Sequence, residues 1–132
     1  MAGTDRDIYE ASKAGDTEEV ERLIRTGVDL NKKKNDDDSA PIHLAAGKGH
    51  TATVKLLLDH GAKIDEKDDD GWTPISQAAK KGHKDTVKLF LDHGANIDLK
   101  NNYGWTPIHR AADKGHTDIV KLFYWIMGQT LM

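Results

Sequence analysis

Between Gly71 and Gly94 the apolar positions fall into two helical stripes. Ile75, Ala78 and Ala79 stand at i, i+3 and i+4, the spacing of one face of an α-helix. Thr73 suits the N-cap, and Pro74 suits the first helical position, where its missing N–H is orphaned anyway. Gly82 is a helix stop. From about Lys84 a second stripe carries Val87, Phe90 and Leu91, with Lys84, Lys88 and Asp92 outside it and Gly94 as its stop. Asp70-Gly71 is turn chemistry, and 95–103 is turn-rich. The pattern predicts two short helices joined by a turn and followed by an extended loop. Neither helix is long enough to be stable alone.

The same pattern recurs along the chain. Pro41, Pro74 and Pro107 are 33 residues apart, and the pairs Gly49-His50, Gly82-His83 and Gly115-His116 keep that spacing. So do the alanine pairs at 45–46, 78–79 and 111–112, whose small side chains allow close helix approach. Residues 41–67 and 74–100 are identical at 19 of 27 positions, and 71–90 and 104–123 at 15 of 20, which excludes coincidence. A divergent first unit fits at an offset of 34, aligning Gly15, Val20, Leu23 and Gly27 with Gly49, Val54, Leu57 and Gly61. The extra residue is expected in the loop from Lys32 to Ser39. Units of this kind bury, by stacking, faces that one copy cannot. A single domain of four units is expected, at about 5–37, 38–70, 71–103 and 104–132.

The strings Thr73-Pro74-Ile75, Ala78 to His83, Val87 to Leu91 and Gly94 to Asp98 resemble the ankyrin repeat, and the likeness extends over about residues 5–127. That resemblance implies an all-α solenoid of helix-turn-helix units with hairpin-like loops projecting sideways. It further implies a concave surface, built by loop tips and first helices, that binds other proteins. The second unit departs from the pattern. It has Asp38-Ser39-Ala40-Pro41 in place of Gly-Trp-Thr-Pro, losing the turn glycine and the Thr cap, so a looser loop is expected there. Ser76 replaces the histidine found at 43 and 109.

Composition sharpens this picture mainly by exclusion. The 132 residues include no cysteine, so neither a disulfide framework nor a Cys-ligated metal site is available. With 19 Lys plus Arg against 22 Asp plus Glu, the net charge of −3 provides no general attraction to nucleic acid or an acidic membrane. The longest apolar run, Leu122–Met127, is far short of the roughly 20 residues a membrane span needs. No apolar stretch follows the N-terminus, so an intracellular, cytoplasmic or nuclear protein is expected. Only eight residues are aromatic, which suits a solenoid with thin alanine- and leucine-lined seams. Phe90 and Phe123 are expected in those seams.

Candidate chemistry reduces largely to structure. All seven histidines sit at repeat-equivalent positions. His43 and His109 are expected to hydrogen-bond near helix starts, and the Gly-His residues to tie helix ends to loops. Asp68-Asp69-Asp70-Gly71 has the look of a calcium loop, but an EF-hand would need Glu where Gln77 stands. A solvated acidic tip is the better reading, and Asp36-Asp37-Asp38 reads the same way. Lys32-Lys33-Lys34 is short and neutralised by the following aspartates. No nucleophile elbow, zincin helix or phosphate loop is present. No enzyme activity, cofactor or metal is therefore expected.

The expected partner is another protein. The candidate contact residues follow from the positions that the resemblance implies are variable. They are Asp37, Ser39 and Lys48 around the first helix of the second unit, then Asp69, Asp70, Trp72, Lys80 and Lys81 around that of the third. Asn102, Tyr103, Trp105, Asp113 and Lys114 complete the set around that of the fourth. The surface they predict is acidic at the loop tips, aromatic at the base and basic at the first-helix ends. Trp72 and Trp105, read as partly exposed, are hot-spot types; they can equally stack on each other or on the next loop. Asn31 resembles asparagines hydroxylated in some ankyrin proteins.

The two ends differ. Asp5-Arg6-Asp7, Glu10, Lys13, Glu18, Glu19, Glu21 and Arg22 make the first unit a polar cap. In the last unit, Tyr124, Trp125, Ile126 and Met127 replace Leu-Asp-His-Gly, and the stop glycine is displaced to Gly128. This apolar end is read as a self-association face giving a homodimer, as a fold-back cap, or as the cut end of a longer array. The alternative function is accordingly a self-assembling, truncated or engineered array contacting itself through its C-terminal helix.

Overall fold

The computed structural model describes residues 7–33 and 37–130. Asp5, Arg6, Lys34 and Asp36, which enter the charge readings above, lie outside them, as does part of the loop expected to hold the extra residue. Among the described residues eight helices are formed: α1 (Ile8–Ala14), α2 (Thr17–Arg25), α3 (Pro41–Gly47), α4 (Thr51–Asp59), α5 (Pro74–Lys81), α6 (Lys84–Asp92), α7 (Pro107–Asp113) and α8 (Thr117–Thr130). No strand occurs among the described residues. Each odd-numbered helix packs antiparallel on its successor, and each pair stacks on the next.

Two seams hold the stack. The first helices α1, α3, α5 and α7 approach closely because Ala11, Ala45, Ala46, Ala78, Ala79 and Ala111 line their contacts. Behind them Val20, Val54, Leu57, Val87, Phe90, Ile119 and Phe123 fill the space between the second helices, all buried. No side chain needs to reach a common centre, so few aromatics are required.

Side chains from one unit stitch it to the preceding unit. Nε2–H of His50, His83 and His116 donates to the carbonyls of Lys13, Gly47 and Lys80, at 3.0, 3.0 and 2.9 Å. These acceptors lie in the last turn of the preceding unit's first helix, where carbonyls lack intrahelical partners. The Gly-His residues thus join helix ends across units, rather than tying them to loops. The accompanying glycine is required twice over at Gly49: its φ is +73°, and the ring of His83 occupies the space a Cβ would take.

Helix starts use varied chemistry. Asp7 and Asp16 cap α1 and α2 by accepting from the backbone N–H of Glu10 and Glu19. At α3 and α7 the third helical residue reaches back instead: Nδ1 of His43 accepts from Ala40 N–H, and Nδ1 of His109 from Thr106 N–H. In α5, Ser76 replaces that histidine and its Oγ pairs with Thr73 Oγ1 at 3.1 Å. The second-unit loop retains its turn without glycine. Asp38 takes φ +54°, matching the sign at Gly71 and Gly104, as aspartate tolerates the left-handed region better than most residues.

The C-terminal helix corrects two expectations. Gly128 does not stop α8, which runs 14 residues where α2, α4 and α6 have nine. Met127 stands where α6 is followed by Gly94, so the left-handed stop is lost and the helix propagates. The described end therefore continues as a helix and does not fold back as a cap. Tyr124 and Trp125 are 64% and 61% exposed, and Ile126 and Met127 are half-buried.

Candidate functional site

The loops ahead of the first helices are built as hairpin-like tips whose polar staples are aspartate and asparagine. In the loop leading to α5, Oδ1 of Asp68 accepts from Asp70 N–H and Trp72 N–H, and Oδ2 accepts from Gln77 Nε2. In the loop leading to α7, Oδ1 of Asn101 accepts from the N–H groups of Tyr103 and Trp105 at 3.0 and 2.8 Å. Asp68 is thus engaged inside its turn and not displayed to solvent as part of a cation loop. Among the described residues no cluster of His, Asp or Glu has the arrangement of a metal site.

Adjacent tips are tied together. Asp69 N–H donates to Asp37 O, Asn102 N–H to Asp70 O, and Asn102 Nδ2 to Asp69 O. The result is an acidic ridge. Local desolvation, then the carboxylates of Asp70, Asp68, Asp37 and Asp38, push the Asp69 pKa up.

Below this ridge the aromatic residues separate in a way the chain pattern did not disclose. Trp72 is only 8% exposed, which corrects its reading as partly exposed. Among the described residues its ring makes no ring–ring contact with Trp105 or Tyr103. The guanidinium of Arg110 covers its ring, 4.0 Å from the centroid. Trp105 lies 5.6 Å from the His109 ring, tilted by 43°. It remains 43% exposed, and Tyr103 is 76% exposed. Nη1 of Arg110 also donates to Gln77 Oε1 at 3.2 Å, so a chain runs from Asp68 through Gln77 to Arg110 and onto Trp72.

These residues enclose a cleft of about 340 Å³, lined by Trp72, Tyr103, Trp105, Lys80, Arg110 and Lys114, together with Asn101 and Asp113. The lining is cationic. The charge of Arg110, then desolvation, then Lys81 and Lys114 push the Lys80 pKa down. Burial pushes the Arg110 pKa down as well, opposed by Asp68, Asp70 and Asp113. A second concavity of about 550 Å³ lies one unit earlier and includes Asp37, Ser39, Lys48 and Lys81, with Lys13, His43 and His83. Ser39 is buried in its floor, while Lys48 and Lys81 are exposed.

The structure thus gathers the anticipated residues into two adjoining concavities below one acidic ridge. Arg110, Gln77, Asp68 and Asn101 were missed. The available signal was that Arg110 occupies the position of Leu44 and Gln77, one that varies between units like the others chosen.

His43 is buried and fully engaged. Besides its bond to Ala40, its Nε2–H faces the carbonyls of Glu66 and Trp72 at 2.9 and 3.1 Å. Burial pushes its pKa down, partly opposed by Asp68 and those two carbonyls. Asn31 bridges units through its amide: Nδ2 donates to Gly61 O at 3.1 Å, and Oδ1 accepts from Lys63 N–H at 2.8 Å.

A family model described as ankyrin repeats (3 copies) matches residues 8–101 and 61–129. Among curated proteins, an ankyrin repeat-containing protein of Saccharomyces cerevisiae is 49% identical over 53 residues, 40% of this chain and 10% of its own. A transient receptor potential cation channel subfamily A member 1 homolog of Caenorhabditis elegans is 38% identical over 55 residues, 42% of this chain and 4% of its own. The similarity therefore spans a tenth or less of these relatives.

Proposed function

The chain belongs to the ankyrin-repeat family, and we propose that it is a non-catalytic module that binds a partner protein through its loop tips and the concavities beneath them. The observation that carries this reading is the cleft of Tyr103 and Trp105, two exposed aromatics in a hydrogen-bonded turn beside a lining of three cations and one carboxylate. Exposed aromatics next to arginine are the residue types that dominate binding energy at interfaces. Asp69, Asp70 and Asn102 above and Lys80, Lys81, Asp113 and Lys114 below form the polar rim; Asp37, Ser39 and Lys48 extend it. Such a surface requires no cofactor.

The test is capture of a partner by the wild-type chain and by a Tyr103→Ala/Trp105→Ala variant. Both side chains are exposed, so the variant should keep the wild-type melting curve and lose the partner. Undiminished capture by a folded variant would remove the cleft as the site. Trp72→Ala is unsuitable as a test, because the buried ring supports Arg110.

A second reading is favoured by the last unit. Ala79 and Ile75 are wholly buried by the following pair, whereas their counterparts Ala112 and Ile108 are exposed and half-buried. With Tyr124 and Trp125 they make an apolar end, the kind of patch that marks contact surfaces. A second copy meeting it two-fold would form an isologous dimer. Light scattering should then give a dimer mass that Tyr124→Ser/Trp125→Asp reduces to monomer, with capture through the cleft intact. A wild-type monomer at every concentration removes this reading.

A further inference from the structure

We propose that the cleft between Trp72, Tyr103 and Trp105 takes an acidic–aromatic peptide segment. A side-chain carboxylate would lie on Arg110, Lys80 and Lys114, with a neighbouring aromatic or large aliphatic side chain against Tyr103 and Trp105. This rests on the reading of the face as partner-binding, and it specifies the partner's chemistry.

The charge pattern points to an anion. Three cations and one carboxylate, Asp113, line the cleft. None of Lys80, Arg110 and Lys114 makes an ion pair among the described residues, whereas Arg22 and Arg25 on α2 are paired with glutamates. Lys80 is close enough to Arg110 for their repulsion to disfavour its charged form. An incoming anion relieves that repulsion.

The geometry suits a carboxylate. The Arg110 side chain makes one hydrogen bond among the described residues, Nη1 to Gln77 Oε1, leaving most of its five N–H donors for a forked acceptor. Stacking on Trp72 and the bond to Gln77 fix its plane beforehand. Binding therefore costs little further side-chain entropy.

The aromatic walls suit a neighbouring apolar side chain. Asn101 accepts from the backbone of both wall residues, so Tyr103 and Trp105 are presented from a fixed turn. The cleft, about 340 Å³, lies at the lower end of the roughly 300–1,000 Å³ typical of ligand sites, a size for a few side chains. The acidic ridge of Asp69 and Asp70 above sets the polarity: the acidic end of the peptide faces the first-helix ends, away from the tips. A continuous polyanion such as a nucleic acid meets repulsion there.

The probe is a phage-displayed library of random octapeptides, panned on the full chain in about 0.15 M salt. The expected consensus has Asp or Glu within two positions of Phe, Tyr, Trp or Leu. A synthetic peptide from that consensus should bind about tenfold more weakly when its acid is replaced by the amide. The protein variant Lys80→Gln/Lys114→Gln should weaken it comparably with its melting curve preserved, and Arg110→Lys should weaken it several-fold. A neutral or basic consensus, equal affinity for acid and amide peptides, or no shared consensus would overturn the proposal. Partner capture that depends on Tyr103 and Trp105 would survive each of those results, so the general binding reading is judged separately.

Discussion

Gly49 and Gly115 are a matched pair for testing how units are joined. Both lie between lysine and histidine in the same turn, with φ of +73° and +74°. Alanine at either enters the left-handed region at a cost of about 1–2 kcal/mol. At Gly115 the new Cβ meets nothing within 4 Å. At Gly49 it would lie 2.6 Å from Nδ1 and 2.8 Å from Cγ of His83. The ring must leave, and the bond from its Nε2–H to Gly47 O goes with it. That bond is worth about 1 kcal/mol, and lost ring packing brings the difference to about 1–2 kcal/mol. Unfolding entropy of about 2.1 cal/mol/K per residue makes each kcal/mol worth roughly 3–4 °C in a chain of this length. Gly49→Ala should therefore melt about 3–7 °C below Gly115→Ala in circular dichroism, with Gly115→Ala a few degrees below wild type. Adding His83→Ala to Gly49→Ala should cost less than the sum of the two single effects, because the clash disappears with the ring. Equal melting of the two glycine variants, or strict additivity in the double variant, would refute the account of the glycine as a seat for the next unit's histidine.

Three further outcomes are expected. Burial lowers the His43 pKa in the folded state, so its contribution is fully present above the unfolded value near 6.5 and is lost as pH falls from there toward the native value. The urea unfolding free energy of wild type should drop between pH 7 and 5 more steeply than that of His43→Gln, by at most about 1.4 kcal/mol per pH unit; parallel profiles would exclude His43 as the source. Met127→Gly restores a helix stop, and should lower the far-ultraviolet helix signal by trimming α8 while leaving the melting of the other units in place; an unchanged signal would show that another feature extends the helix. Asn31→Ala removes two bonds between units and should destabilise the chain by about 1–2 kcal/mol in urea unfolding, whereas Asn31→Asp should retain the bond from Lys63 N–H and lose less.

The helices were legible because burial repeats with the chain's own period. Ile75, Ala78 and Ala79 share a face, and a copy 33 residues away presents the same face to meet them. The candidate site was legible only as a set of variable positions. Trp72 and Trp105 hold equivalent places in consecutive units, yet one is buried and the other is exposed. The difference is made by Arg110, which lies over Trp72 from the next unit. His43 and His109 differ in the same way: the loop leading into the next unit supplies the carbonyls of Glu66 and Trp72 to the first, and no described residue does so for the second.

The sequence by itself determined the unit, its two helices, their number and the order of stacking, since these rest on local periodicity and on a repeat that each copy satisfies with its neighbour. Only the tertiary structure decided which aromatic is displayed, which cation is left unpaired, and how far α8 runs past its lost glycine stop. Those outcomes depend on single side chains at non-repeating positions, where burial is set by what the adjacent unit places there. The repeat itself carries no record of that neighbour.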